Sequence, residues 1–281
     1  MRAPPQEYAN PPVLVIRPDS ARTLGLVGDL WAFRDLLWSL ADRDLRLRYR
    51  QTALGVAWVV LQPLLGALIL TFVFGVVAGL SSDGVPYFRF TFASLAGWGL
   101  FAGVLTRASG ALVQNAGLIG KVWFPRVVLP ASVVPAALLD FAVAVAIVLV
   151  MGGMDGALGP GALLAPLWAL GLALLAFGCG LVFAALMVSY RDVQHVLPVA
   201  MQLLLYASPV AYATSNIPAA WRGLFLLNPV ATYLEGMRAA LLGTPVPAAR
   251  TVAVAAGITG AVLFAGQALF RRLERRFADV I

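Results

Sequence analysis

Residues 162–188, ALLAPLWALGLALLAFGCGLVFAALMV, form an apolar run that contains no charged side chain. An α-helix rises 1.5 Å per residue and the hydrocarbon core of a bilayer is about 30 Å thick, so about 20 apolar residues can cross it. This run is long enough to do so. Its single cysteine, Cys179, is the only cysteine of the chain and therefore has no disulfide partner.

The rest of the chain has the same apolar character. Hydrophobic residues make up 61% of the sequence and charged residues 12%, whereas soluble domains contain about 45–50% apolar and about 25% charged residues. The sequence therefore predicts an all-α integral membrane protein with six transmembrane helices. The five further apolar runs occupy residues 56–80, 90–106, 127–151, 193–213 and 251–270.

The distribution of charge predicts how the protein is oriented. The formal net charge is +7, and basic side chains concentrate before the first apolar run and after the last one. Positive residues near membrane helices favour the cytoplasmic side, and this pattern explains the charge better than nucleic-acid binding does. We expect both termini in the cytoplasm. The terminal arginines are Arg2, Arg17, Arg22, Arg34, Arg43, Arg46, Arg48, Arg50, Arg271, Arg272, Arg275 and Arg276.

The apolar runs are preceded by two segments of different composition. Residues 1–28 form a polar tail rich in proline and arginine. Residues 29–52 have the periodicity of an amphipathic helix, with Trp31 and Trp38 at the border between its polar and apolar faces. We expect this helix to lie in the membrane interface. Residues 53–281 then hold the six-helix domain.

Two connections within that domain are long enough to have structure of their own. Residues 107–126 form a cytoplasmic loop, which is either a plain connector or a helix that contacts a soluble partner. Residues 217–243 contain two apolar pieces, each too short to span a bilayer, and predict a re-entrant hairpin between spans five and six. Asn228 followed by Pro229 is typical of a helix start.

The sequence contains no recognisable catalytic or metal-binding set. The string NAGLIGKV at residues 115–122 lacks the first glycine and the hydroxyl of a nucleotide-binding P-loop. The single His195 and the single Cys179 cannot form a Cys/His metal cluster. We therefore expect no catalytic residue, no metal ligand and no bound cofactor in this chain.

Asp140 lies near the middle of the third apolar run, where an unpaired charge costs several kcal/mol. One interpretation is a proton or ion site of a secondary transporter. The other is a structural hydrogen bond to a neighbouring helix.

Polar and aromatic residues recur near helical spacing on the first and fifth spans. The apolar face of a sugar ring packs on an aromatic side chain while its hydroxyls bond to amides, so these stripes are typical of a polysaccharide channel. Ordinary helix packing is the alternative. The candidate channel residues are Trp58, Gln62, Phe72, Gln202, Tyr206 and Tyr212.

Four strings together resemble one family, the ABC-type-2 polysaccharide export permeases. They are RDLRLRYRQTALGVAWVVLQPLL at 43–65, LIGKVWFPRVVLP at 118–130, SYRDVQHVLPVAMQLLLYASPVAY at 189–212 and LNPVATYLEGMRAALLG at 227–243. The resemblance covers nearly all of the chain after residue 28. A proton-coupled transporter centred on Asp140 and a membrane-bound glycan-processing enzyme are the alternatives.

The resemblance implies a homodimeric permease that moves a lipid-linked polysaccharide of O-antigen, capsule or teichoic-acid type across the bacterial inner membrane. Two copies of a separate cytoplasmic ABC ATPase would bind ATP and Mg²⁺. Residues 29–52 would be a gate helix beside the membrane lipids. The implied ATPase-coupling residues are Asn115, Gly117, Leu118 and Lys121, and the implied periplasmic gate residues are Asn228, Pro229, Glu235 and Arg238.

A lipid-linked glycan of this class would carry a pyrophosphate at the depth of the arginines before span one. Guanidinium groups bind phosphate oxygens bidentately. We therefore expect Arg46, Arg48 and Arg50 to admit the substrate headgroup, although their role in topology is an alternative explanation for the cluster.

Overall fold

The protein is described by a computed structural model, in which residues 25–49, 57–154, 160–225 and 227–280 are defined. Within these ranges the chain is helical and contains no β-strand. Its α-helices are α1 Leu26–Ala32, α2 Arg34–Tyr49, α3 Ala57–Leu70, α4 Tyr87–Gln114, α5 Ala116–Ile119, α6 Val128–Ser132, α7 Val134–Met154, α8 Ala165–Ser189, α9 Val193–Ala207, α10 Ala219–Phe225, α11 Pro229–Leu242 and α12 Ala249–Val280. A π-helical turn, Thr71–Val77, extends α3.

Five of the six predicted spans correspond to helices that are long and apolar enough to cross a membrane. In the described part of the chain these stretches are Ala57–Val77, Tyr87–Gln114, Val128–Met154, Gly161–Ser189 and Ala249–Glu274. The all-helical membrane fold is therefore confirmed. The run at 193–213 contains α9, which has 15 residues and ends before Ser208. At 1.5 Å per residue it is about 22 Å long, so the sixth span stays a prediction.

The centre of the fold is α8, which packs against α4 on one side and α12 on the other. Glycines allow these helices to approach closely. A Cβ added to Gly180 would lie 2.7 Å from the Cβ of Ala108 on α4, and one added to Gly266 on α12 would meet the carbonyl oxygen of Gly178. Small residues at such contacts are the usual means by which membrane helices associate.

The spans differ greatly in how far they are buried within the protomer. In the most apolar window of each stretch, 61% of the residues of Tyr87–Gln114 are buried, compared with 6% for Ala57–Val77. Span one therefore lies at the periphery of the protomer. Most of its side chains face outward.

The predicted interfacial helix 29–52 is divided into two helices, and its residues 50–52 lie outside the described residues. The first begins at Leu26, earlier than predicted, and Phe33 separates it from the second. At Phe33 the backbone leaves the helical region, and its ring packs edge-on against Trp123 at 6.3 Å. Leu40 and Ala41 are buried, while Trp31 and Trp38 are exposed, which agrees with an amphipathic pattern. The location of these helices at a membrane interface stays a prediction.

The two apolar pieces between spans five and six form the short helices α10 and α11. The predicted helix start is confirmed, because the Asn228 side chain accepts hydrogen bonds from the backbone amides of Val230 at 3.0 Å and Ala231 at 3.4 Å. Pro229 occupies the first helical position, where its missing amide hydrogen costs nothing. The helix α11 packs against α4, α8 and α12. Whether this hairpin re-enters the bilayer stays a prediction.

The close contact between α8 and α12 gives a direct test of the packing. We expect Gly266→Ala to lower the thermal unfolding temperature of the detergent-solubilised protein, because its Cβ would meet a backbone oxygen that cannot move aside. Overpacking of this kind costs about 1–3 kcal/mol. Gly257→Ala is the matched control, because an added Cβ there meets nothing within 4 Å. Equal unfolding temperatures for both variants would contradict this packing.

Candidate functional site

The candidate channel residues lie on faces that are uncovered in the protomer, with one exception. Trp58 and Phe72 of span one and Tyr206 of α9 are 49%, 62% and 60% exposed. Gln202 is also exposed. Tyr212 is different, because it follows α9, donates a 2.9 Å hydrogen bond to the carbonyl of Tyr206 and is partly covered. The exposed members are available to a substrate or a partner.

The candidate coupling residues divide into two pairs. Gly117 and Lys121 are exposed. Leu118 is half-buried and packs against the core. The side-chain oxygen of Asn115 accepts a 2.8 Å hydrogen bond from the Arg43 guanidinium, so it links the end of α4 to helix α2. Only the first pair is free to meet a soluble protein in this structure.

The arginines near the start of span one are placed unequally. Arg46 pairs with Asp42 at 2.8 Å, but both side chains are more than half exposed, and such pairs contribute about 0–1 kcal/mol. The side chain of Arg48 and the whole of Arg50 lie outside the described residues. Arg43, which sequence reasoning did not single out, binds both Asp44 and Asn115.

A polar cluster joins three segments that lie far apart in the sequence. The backbone amide of Arg126 donates to the Glu274 carboxylate at 2.9 Å, and the Arg271 guanidinium donates to Asp29 at 3.2 Å. The end of the 107–126 loop and helix α1 are thereby both attached to α12. No local sequence signal could have found these pairs, because the partners lie 148 and 242 residues apart.

The intramembrane carboxylate of Asp140 is paired. The Arg107 guanidinium of α4 donates to it at 3.0 Å, and both side chains are largely covered. This contact supplies the charge compensation that an isolated carboxylate in hydrocarbon would lack. It favours the structural interpretation of Asp140. Arg107 was not among the candidate residues predicted from the sequence.

The candidate periplasmic gate residues form one cluster around the carboxyl end of α9. Arg238 is 3% exposed and donates to the carbonyl of Pro209 at 2.5 Å and to the hydroxyl of Ser94 at 3.0 Å. Its guanidinium also lies 4.5 Å from the ring centre of Phe90. The Asn228 amide donates to the Ser208 hydroxyl at 3.1 Å. The end of α9 is thus held by residues of α4 and α11.

Two further groups complete the gate cluster. Glu235 accepts a hydrogen bond from the hydroxyl of Thr214. Burial lowers the pKa of Arg238 to about 10, while the nearby charges of Glu235 and Asp83 act to raise it. Because this value is well above 7, Arg238 remains protonated at neutral pH. Sequence reasoning had placed Arg238 on the outer side but had not foreseen its burial.

Among the described residues, no group of three His, Cys, Asp or Glu side chains is arranged to hold a metal ion. Several apolar helices that can cross a bilayer are held together by buried polar contacts, and they expose amide and aromatic side chains. These features define a multi-pass membrane protein with the character of a transport permease.

The chain belongs to the ABC-2 type transporter family, whose model matches residues 35–242. It is similar to the O-antigen export system permease protein RfbA of Myxococcus xanthus, with 31% identity over 91% of this chain and 99% of the relative. A protein of the same name from Klebsiella pneumoniae is 30% identical over 88% and 95% of the two chains. The polysialic acid transport protein KpsM of Escherichia coli is 27% identical over 83% and 91%.

The buried arginine of the gate cluster can be tested separately from transport. We expect Arg238→Met to lower the free energy of unfolding by at least about 3 kcal/mol, because two hydrogen bonds from a charged group are lost and each contributes about 1.5–3 kcal/mol. Methionine keeps much of the side-chain length. The measurement is reversible unfolding in detergent.

Arg250→Met is the matched control, because Arg250 is exposed at the start of α12. We expect this variant to unfold like the parent. A similar loss of stability in both variants would show that the contacts of Arg238 are not responsible.

Proposed function

We propose that this chain is the transmembrane permease subunit of an ATP-driven exporter that moves a lipid-linked polysaccharide across the bacterial inner membrane. The observation that carries the proposal is the alignment with an O-antigen export permease over 91% of this chain and 99% of the relative. The family match over residues 35–242 supports it as well, because that range includes the short helices α10 and α11. The substrate is a glycan of O-antigen, capsule or teichoic-acid type.

The protein crosses the membrane six times, with α9 as the fifth span. Arginine clusters at both ends of the chain place both termini in the cytoplasm, so the number of crossings is even. Five long helices can span the membrane, and α9 is the further apolar helix that would provide the sixth crossing. The hairpin of α10 and α11 then lies at the periplasmic side, where Arg238 and Asn228 hold the outer end of α9.

The protein works as a homodimer whose channel runs between exposed faces of spans one and five. The Gln202 amide is exposed on α9, and an amide in contact with lipid would lose its hydrogen bonds. The exposed Gln202 and Tyr206 on α9 and the exposed Phe72 on span one suit contact with a second copy or with a glycan. Phosphate groups of the lipid carrier bind Arg46, Arg48 and Arg50 beside the entrance.

Two copies of an ABC ATPase supply the energy by binding ATP and Mg²⁺. They contact the exposed Gly117 and Lys121. Asn115 lies between this surface and helix α2, which it reaches through Arg43. Movement of the ATPase is thereby passed to the gate helix as well as to span two. The Arg107–Asp140 pair gives no support to a proton-coupled mechanism.

ATP hydrolysis and glycan transport can be measured separately for the chain alone and for its complex with the ATPase. We expect the purified chain in nanodiscs to hydrolyse no ATP above the rate of empty nanodiscs. Together with its ABC ATPase, it should move a lipid-linked glycan to the opposite leaflet of proteoliposomes, which is detected by oxidation of newly exposed sugars. A complex whose ATPase carries a P-loop Lys→Ala substitution is the control. ATP hydrolysis by the chain alone, or no glycan movement by the complex, would contradict the proposal.

The coupling surface is tested by charge reversal at an exposed position. We expect Lys121→Glu to reduce glycan export at least tenfold and to weaken binding of the ATPase, because Lys121 is exposed at the cytoplasmic turn. Because Lys121 is exposed, we do not expect its replacement to reduce export by misfolding the protein. Arg272→Glu, also an exposed charge reversal, is the matched control on α12. Normal assembly and export by Lys121→Glu would move the contact elsewhere.

A further inference from the structure

A cavity of about 330 Å³ lies between spans one, two and three, separate from the exposed face of α9. Most of its lining is apolar, but three polar side chains and one indole converge on it. Such a composition is typical of small-ligand sites, whose volumes are about 300–1,000 Å³. The three polar side chains are those of Gln62, Arg107 and Asp140, and the indole is that of Trp98.

A second cavity, of about 560 Å³, adjoins this one toward the end of α4. It is lined by Arg43, Gln114 and Asn115 beside the gate helix, and Arg107 lines both cavities. From Gln114 to Trp98 the two cavities follow helix α4 over about 24 Å, at 1.5 Å per residue. A path with polar groups along it therefore leads from the coupling turn into the membrane region.

We do not expect lipid tails to occupy the inner cavity. The Arg107–Asp140 pair and the Gln62 amide would then face hydrocarbon, where ionisable and polar groups are costly. Such groups in membrane proteins face the bundle interior or a hydrated cavity. The cavity is therefore occupied by water or by a polar ligand.

The charges of the lining select the class of ligand. Among the described lining residues, Arg107 is neutralised by Asp140 at 3.0 Å and Arg43 by Asp44 at 2.8 Å, so these residues offer no uncompensated cation to an anion. The paired groups and the Gln62 amide instead present both donors and acceptors. Together with the flat apolar surface of Trp98, they suit an uncharged ring that carries several hydroxyl groups.

We propose that this inner cavity binds a single sugar ring of the lipid-linked glycan before it reaches the channel. The inference rests on the proposed export function and adds a site within each protomer. Asp140 and Gln62 bond to the hydroxyls, and Trp98 packs on the apolar face of the ring. The volume admits a ring rather than a length of polysaccharide.

The experiment uses the reactivity of a cysteine in the cavity. Gly99 lines it, and an added Cβ there meets nothing within 4 Å, so Gly99→Cys is placed in a Cys179→Ser background. Gly260→Cys is the matched control, because that position is exposed on α12, is equally open and does not line the cavity. The complex with its ATPase is held in nanodiscs and treated with an anionic, water-soluble methanethiosulfonate.

We expect Gly99→Cys to react at least tenfold faster than Gly260→Cys, because only the first is hydrated. A polyprenyl diphosphate that carries N-acetylglucosamine or galactose should slow the reaction at least fivefold. The same lipid without sugar should not. If the free sugars also slow the reaction of Gly99→Cys, the cavity binds a sugar ring and does not require the attached lipid. Equal rates for the two cysteines, equal slowing by both lipids, or slowing by neither sugar-bearing lipid would overturn the proposal.

Variants of Trp98 test the recognition itself. Trp98→Leu should abolish the protection by the sugar-bearing lipid, whereas Trp98→Phe, which keeps an aromatic face, should retain it. The reaction rate without ligand reports whether each variant is folded. Protection that survives in Trp98→Leu would overturn the role of the indole. Glycan export by the parent complex separates the two hypotheses, because export without protection contradicts only this site, and absence of export contradicts the proposed function.

Discussion

The interior of a bilayer contains no water, and every other feature of this protein depends on that constraint. A polar group there must find its partner within the protein. The described residues obey this rule, because no buried polar side-chain atom among them lacks a hydrogen-bond partner. Backbone groups satisfy one another in helices, Asp140 is matched by Arg107, and Arg238 is bound to Pro209 and Ser94.

The same constraint explains what the sequence could reveal. Runs such as 162–188 are apolar because a bilayer demands it over a fixed length, and so their helices could be predicted without knowledge of their neighbours. The start of α11 was also predictable, because Asn228 bonds to amides only two and three residues away. Features that depend only on nearby residues can therefore be predicted from the sequence. The family resemblance was recognised from such strings and agrees with the match over 35–242.

The contacts that build the candidate sites left no comparable signal. Arg107 and Asp140 lie 33 residues apart, and either residue alone has several possible partners. At the break after α1 the Phe33 ring packs on Trp123, a contact that periodicity does not describe. Periodicity predicts which residues share a face of a helix, but it cannot pair the faces of different helices. Asn115 was assigned to the ATPase-coupling segment, and its bond to Arg43 was not foreseen.

The bond between Arg271 and Asp29 also bears on how the protein is made. Its partners lie 242 residues apart, and ribosomes add about 5–20 residues per second, so about 12–48 s separate their synthesis. During that interval neither Arg271 nor Glu274 has been made. The polar cluster of Asp29, Arg126, Arg271 and Glu274 therefore closes only when α12 has been translated. Until then the amino-terminal helices are held by their packing against α6 and α7 and by the bond between Arg43 and Asn115, and insertion of the last helix adds the ion pair that joins the two ends of the chain.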